Sequence, residues 1–107
     1  MAKAAKSKPK HRIDTSFRVE NIVASANLKV ELDLFNIAME VDNVEYEPEQ
    51  FPGAIMRLKE IGTTLLLFKN GKVICSGAKN EKQIGQSIKR AVELLEKYMT
   101  FPQDKDK

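Results

Sequence analysis

The sequence has little of what catalysis, disulfide bonding or metal binding requires. Its 107 residues include no tryptophan, one cysteine and one histidine. Cys75 alone can form neither an internal disulfide nor a cysteine-based zinc site, and its apolar surroundings favour a buried small side chain. His11 lies in a basic terminal segment, away from any recognisable core. Because nucleophilic triads and dyads need a histidine beside the nucleophile, we expect no enzyme, no metal and no cofactor.

Long hydrophobic runs are also missing. The longest apolar stretch is the four residues Leu65 to Phe68, whereas a membrane-spanning helix needs roughly 20. The basic start of the chain is not followed by the apolar segment of a secretory signal. We therefore expect a cytoplasmic protein with no membrane segment.

The chain has the composition of a single folded domain with an unevenly placed charge. Its residues are 42% hydrophobic and 31% charged, which is enough apolar material for one core. Residues 1–12, here called the basic arm, hold five of the eighteen basic residues and none of the fifteen acidic ones. Such an arm is typical of non-specific attraction to phosphates, and a solubilising tail is the alternative. We divide the chain into a flexible basic tail (1–15), one domain (16–99) and a flexible C-terminal tail (100–107).

Hydrophobic spacing predicts the order strand, helix, four strands, helix. Alternation from Val19 predicts one long first strand, and helical spacing after Asp33 predicts a short helix that this residue caps. Further strands are predicted near residues 44–46, 54–58, 63–68 and 72–77. A final helix of about 18 residues follows Asn80. The predicted fold is α+β, a curved antiparallel five-stranded sheet with both helices on its convex face.

The register of one hairpin follows from its turn. Asn70-Gly71 separates two apolar strands, and a three-residue loop with Gly71 in the left-handed conformation pairs Leu66 with Ile74. The core face of this hairpin is then wholly apolar: Leu65, Leu67, Val73 and Cys75. Its other face has no element left to cover it, and an exposed apolar sheet face is typical of a binding site.

Several segments together resemble one repeat of the TATA-box-binding protein family, archaeal type. They are residues 21–25 (NIVAS), 32–34 (LDL), 45–53 (EYEPEQFPG), 63–68 (TTLLLF) and 71–79 (GKVICSGAK). The resemblance extends from Val19 to Tyr98. Proteins of this family contain two repeats that form a saddle on the DNA minor groove, and EYEPEQFPG and SGAK occur only once here. The resemblance therefore implies a half-saddle.

The resemblance also implies which residues contact DNA. Phe51 and Phe68 match the two phenylalanines that insert into a base step, and this family is itself the standard example of such kinking. Asn21 matches the asparagine that donates to minor-groove acceptors, and Ser76 replaces a more common threonine. Rim residues that resemble phosphate contacts are Arg57, Thr64, Lys72 and Lys79. The remaining residues of the implied DNA surface are Val23, Ser25, Leu66 and Ile74.

Because the two repeats of the family meet through their first strands, the resemblance implies a homodimer joined along this strand. The implied dimer interface comprises Ile22, Ser25, Ala26 and Asn27. The family's acidic contact for transcription factor B is matched by Glu45, Glu47 and Glu49, here called the acidic turn. A metal site or a solvated rim are the alternatives for these carboxylates. Two departures from the family are Ile61-Gly62, where a proline and a basic residue are common, and Lys29, where a glycine is usual.

The sequence thus predicts a homodimeric, non-enzymatic protein that binds and bends A·T-rich DNA in the minor groove, associated with the nucleoid and acting in transcription initiation. One alternative is an interaction module that binds a full-length TATA-binding protein or transcription factor B. Another is a sheet domain that binds RNA·DNA hybrids. A third is that the chain is a truncated first repeat.

Overall fold

The computed structural model describes residues 13–20 and 23–101. Its eight strands are β1 (Phe17–Glu20), β2 (Val23–Asn27), β3 (Glu31–Leu32), β4 (Val44–Tyr46), β5 (Ala54–Leu58), β6 (Thr63–Leu67), β7 (Lys72–Ser76) and β8 (Met99–Thr100). The helices are α1 (Leu34–Glu40) and α2 (Glu81–Leu95), and a 3-10 turn (Glu96–Tyr98) extends α2.

One antiparallel sheet dominates the fold. Its strand order is β1-β2-β7-β6-β5-β4, and β3 pairs with β8 in a separate two-stranded ribbon. Buried side chains from β2, β5, β6 and β7 form one core with buried residues of both helices. Both helices therefore pack on the same face of the sheet. This confirms the predicted α+β class, with a sixth strand added to the five that were expected.

The predicted β6–β7 hairpin is confirmed residue by residue. Leu66 pairs with Ile74 and Thr64 with Ser76, and Gly71 has a φ of +91°. The four residues predicted for the core face are each at most 1% exposed. Turn chemistry therefore fixes which side chains of this hairpin face the helices.

Both predicted helix caps are present. The Asp33 carboxylate accepts a hydrogen bond from the Asn36 backbone N–H at 3.2 Å. The Asn80 side chain accepts one from the Gln83 backbone N–H at 2.9 Å. Each cap satisfies one of the backbone donors that a helix start leaves unpaired, so the caps set where α1 and α2 begin.

The predicted long first strand is instead two strands. β1 and β2 are antiparallel, with Glu20 opposite Val23 and Phe17 opposite Ala26, so the chain reverses direction between them. The backbone edge of β2 that faces away from β7 is therefore paired within the same chain. Phe17 is half-buried against the core, and a Cβ added at Gly85 of α2 would lie 3.8 Å from its ring. Burial of this ring and the backbone pairing hold β1 in place.

The folded part extends beyond both predicted boundaries. Ile13 is half-buried against the core, as is Phe101, and Thr100 pairs with Glu31 across the β3–β8 ribbon. The predicted N-terminal tail (1–15) therefore includes a residue that packs on the core, and so does the predicted C-terminal tail (100–107). The basic arm and residues 102–107 lie outside the described residues.

The two departures from the family pattern fall at unusual backbone conformations. Lys29 has a φ of +61°, a region that glycine adopts without cost and other residues do not. Its backbone N–H donates to Asn27 Oδ1 at 2.8 Å, and its Nζ lies 3.4 Å from an Asp14 carboxylate oxygen. These local contacts offset part of the cost of placing lysine there.

Gly71→Ala and Gly62→Ala separate steric contact from backbone strain. Both glycines have a positive φ, but an added Cβ at Gly71 would lie 2.3 Å from the Val30 carbonyl oxygen, whereas none lies within 4 Å at Gly62. We expect Gly62→Ala to lower the free energy of unfolding by about 1 kcal/mol and Gly71→Ala by more than about 3 kcal/mol. Urea unfolding measures both, and equal losses would contradict the contact with Val30.

Candidate nucleic-acid interface

The sheet face opposite the helices, here called the open face, is formed by alternate residues of the central strands. Strand geometry sends successive side chains to opposite faces, and the buried positions of β2, β5, β6 and β7 all face the helices. The remaining positions form the open face: Val23, Ser25, Asn27, Ile55, Arg57, Thr64, Leu66, Lys72, Ile74 and Ser76. All but Asn27 and Ile55 were predicted DNA contacts, so the structure brings most of that set together on one surface.

An apolar row crosses the middle of the open face. Ser25 lies opposite Ile74, Ile74 opposite Leu66, and Leu66 opposite Ile55. These side chains are half-buried although no element covers them from above in the described structure. Sequence reasoning missed Ile55, which stands between the buried Ala54 and Met56. Alternation along β5 places it on the same face as Arg57 and could have identified it.

A second row adds hydroxyl groups beside the apolar one. Val23 lies opposite Ser76, Ser76 opposite Thr64, and Thr64 opposite Arg57. Val23 is 36% exposed, one of the most exposed large hydrophobic side chains in the described chain. The open face therefore offers apolar contact and short hydrogen-bonding groups within two adjacent rows.

Phe51 and Phe68 meet at one end of the open face. Their ring centroids are 5.7 Å apart with an interplanar angle of 66°, an edge-to-face arrangement that aromatic pairs favour. Gly53 makes room for them, because a Cβ there would lie 3.0 Å from each ring and 2.8 Å from the Leu67 carbonyl oxygen. The two residues predicted to insert into DNA thus form one rigid, half-buried pair.

The predicted basic rim is only partly free. Lys72 and Lys79 are exposed, and the Lys79 backbone N–H donates to Gln83 Oε1 at 2.9 Å beside the start of α2. Arg57 instead lies 3.5 Å from a Glu45 carboxylate oxygen. Glu45, predicted as a partner contact, therefore neutralises a predicted phosphate contact.

The other two residues of the acidic turn are exposed and lie where the chain leaves β4. The Glu47 carbonyl accepts hydrogen bonds from the backbone N–H groups of Gln50 and Phe51, which closes the turn. The side chains of Glu47 and Glu49 are exposed. The residues searched in the described structure include no group of three or more His, Cys, Asp or Glu able to hold a metal ion.

The predicted dimer interface does not form a free edge. Ala26 is 7% exposed and faces the helices, and its strand is paired with β1 on one side and β7 on the other. Ser25 lies inside the sheet for the same reason, and the Asn27 side chain is occupied by the Lys29 backbone. Ile22 and Asn21 lie outside the described residues.

The core polar groups on the helix side are satisfied and inert. Ser87 donates to the Gln83 carbonyl and lies 2.7 Å from Thr63 Oγ1. Burial raises the pKa of the Cys75 thiol, which keeps it protonated and unreactive.

No helix in the described part of the chain is long and apolar enough to cross a membrane.

Comparison with known proteins decides the family. The protein-family model described as transcription factor TFIID, or TATA-binding protein, matches residues 16–98. This chain belongs to the TATA-binding protein family. It is 48% identical over 80 residues to the TATA-box-binding protein of Pyrobaculum calidifontis and 51% identical over 79 residues to that of Methanopyrus kandleri.

The alignments cover most of this chain but less than half of each relative. Those two alignments include 75% and 74% of this chain but 40% and 42% of the relatives, so the chain spans about two-fifths of their length. The solved structure of the Methanococcus jannaschii TATA-binding protein superposes with a TM-score of 0.69 at 38% identity, covering 71% of this chain and 45% of that one. The fold of this chain thus corresponds to less than half of the length of each of these relatives.

Gly53→Ala tests the packing of the ring pair. The added methyl would meet both rings and a backbone oxygen at 3.0 Å or less, so at least one phenylalanine must move. We expect Gly53→Ala to shift the ring proton resonances of Phe51 and Phe68, with Gly62→Ala as the control that has nothing near its Cβ. Unchanged ring resonances in Gly53→Ala would contradict the close approach.

Proposed function

We propose that the open face of this chain binds the minor groove of A·T-rich DNA and bends it, in transcription initiation. The observation that carries this proposal is the apolar row bordered by hydroxyl groups, with a rigid phenylalanine pair at its end. Membership of the TATA-binding protein family supports the DNA-binding role. The residues of the open face support the minor groove, the bending and the A·T preference.

The chemistry of the open face suits an A·T minor groove. Such a groove presents only the N3 and O2 acceptors, whereas a G·C pair adds the guanine amino group. Hydroxyl donors at Ser25, Thr64 and Ser76 can reach acceptors, and we assign the same role to the Asn21 amide. The side chains of Leu66 and Ile74 would bury the guanine amino group without a partner, which disfavours G·C pairs.

The phenylalanine pair supplies the bending. A ring inserted between base pairs costs a few kcal/mol of stacking, which the extra contacts of the bent DNA must offset. Phe51 and Phe68 are already packed on each other over Gly53, so little side-chain entropy is lost when they insert. Lys72 and Lys79 contact phosphates at the rim, and Arg57 does so once it leaves Glu45.

Phe51→Ala combined with Phe68→Ala tests this proposal. Both rings face away from the helices, so we expect the double variant to fold and to lose bending of an A·T-rich duplex, measured by energy transfer between end labels. Phe35→Ala is the matched control, because Phe35 is a 63% exposed phenylalanine on α1, on the helix side. Full bending by the double variant, or equal loss in the control, would overturn the proposal.

The second part of the proposal is a homodimer. One repeat supplies half of the surface that the family's saddle presents, and a twofold copy would complete it. β1 is the terminal strand of the described sheet and pairs only with β2 there, so its outer edge has the backbone groups that a second copy can pair with. We therefore propose that the second copy pairs with the outer edge of β1 and not with β2, which has a strand on each side.

A disulfide lock distinguishes the two joins. Arg18 lies opposite Ser25, and antiparallel partners are about 4.5 or 5.5 Å apart, within the range that a disulfide spans. Arg18→Cys with Ser25→Cys should hold β1 on β2 when oxidised, and sedimentation velocity should still give the mass of a dimer. A monomer when oxidised and a dimer when reduced would return the join to β2, and a monomer in both states would exclude dimerisation.

The acidic turn supports the alternative class, an interaction module. Glu47 and Glu49 are exposed and carry no assigned role on the open face, and we propose that they contact a transcription factor B partner. This contact and DNA binding use different surfaces, so the two functions are compatible.

We propose a location on the nucleoid as a consequence of DNA binding.

A further inference from the structure

The outer side of α1 carries two large apolar side chains in solvent. Phe35 is 63% exposed and Met39 is 67% exposed, the highest values for large hydrophobic residues in the described chain. They are four residues apart, so they lie on the same side of the helix, one turn from each other. The opposite side of α1 is anchored in the core by Leu34 and Ile37. Single exposed hydrophobics are ordinary, but a phenylalanine and a methionine paired on a seven-residue helix form a continuous apolar patch.

The patch lies in a strongly acidic part of a basic chain. Residues 30–56 contain seven of the fifteen acidic residues and none of the eighteen basic ones. Asp33, Glu40 and Asp42 are exposed within α1 or at its ends. Glu40 accepts a hydrogen bond from the Tyr98 hydroxyl at 2.8 Å, which fixes that carboxylate beside the helix. The cations that face this side in the described chain are Arg57 and Arg90, which line the same cavity as Glu40 and Asp42, and Lys97, which lies over the Tyr98 ring. Both arginines are paired with other carboxylates, so the surface around α1 stays acidic and attracts cationic segments.

We propose that the Phe35–Met39 patch docks a basic, amphipathic segment of another protein. Aromatic residues and methionine are enriched at protein interfaces, and methionine adapts to partners of varied shape. The acidic surroundings select a partner whose apolar residues are bordered by lysine or arginine. This docking surface is separate from the open face, so the partner and DNA can be held together.

Other occupants fit the patch less well. A second copy that met it through the same helix would bring the two acidic segments against each other, which costs energy. The same charge disfavours DNA, whose phosphates are anionic. The chain's own basic arm has the right charge, but residues 2–12 contain no apolar side chain larger than alanine or proline, so the arm cannot bury Phe35 and Met39.

The test uses a labelled peptide of about 18 residues, with leucines at helical spacing and lysines elsewhere, and fluorescence anisotropy as the readout. Two control peptides keep one property each: one replaces every lysine by glutamate, the other replaces every leucine by serine. We expect the first peptide to bind the full chain at least tenfold more tightly than either control. Equal binding of the glutamate peptide would overturn the charge assignment, and equal binding of the serine peptide would reduce the site to charge attraction alone.

Variants of the protein locate the binding on α1. Phe35→Ser with Met39→Ser should weaken the leucine–lysine peptide at least tenfold, whereas Phe35→Leu with Met39→Leu should bind it within about twofold of the parent, because the patch stays apolar. Thermal unfolding of both pairs checks that the fold is kept. If the serine pair binds as tightly as the parent, the proposal is wrong. If the parent sediments as a dimer and the serine pair as a monomer, the patch is a contact between copies.

Discussion

The structure depends on one constraint, which is that a single layer of helices covers only one face of the sheet. Strand residues alternate between faces, so every buried position in β2, β5, β6 and β7 forces its neighbours onto the uncovered side. Leu65, Leu67, Val73 and Cys75 bury against α2, and Leu66 and Ile74 are left to face outward. The candidate DNA surface is therefore a direct consequence of how the core is packed.

Charge is unevenly placed on the surface of the described chain. Lysines border the open face, whereas all charged residues of the segment 30–56, which includes α1 and β4, are acidic. Arg57 and Glu45 meet where these regions adjoin, with 3.5 Å between their charged groups. An exposed ion pair of this kind contributes little to stability, so it can open when a phosphate competes for the arginine. This pattern agrees with the proposal that nucleic acid binds the open face and a basic protein segment binds beside α1.

Local sequence signals predicted much of the fold and of the site. Gly71 with a positive φ determined the hairpin register and so paired Leu66 with Ile74, and Asp33 and Asn80 determined where the helices begin. Arg57 was identified only through the family resemblance. Features that depend on distant parts of the chain were missed. β1 stays on β2 because Phe17 packs beside Gly85, nearly 70 residues away, and Gly53 matters because Phe68 returns to meet Phe51. No pattern within the first strand carries that information.

The most direct test of the central claim is methyl NMR of the full chain during titration with an A·T-rich duplex. Ile55 and Ile74 lie on the open face, whereas Ile37 and Ile88 are buried on the helix side at 0% and 2% exposure. We predict large shifts for the methyl groups of Ile55 and Ile74, with intermolecular contacts to minor-groove protons, and small shifts for Ile37 and Ile88. Shifts confined to the helix side, or none at Ile55 and Ile74 while the duplex is bound, would contradict a DNA-binding open face.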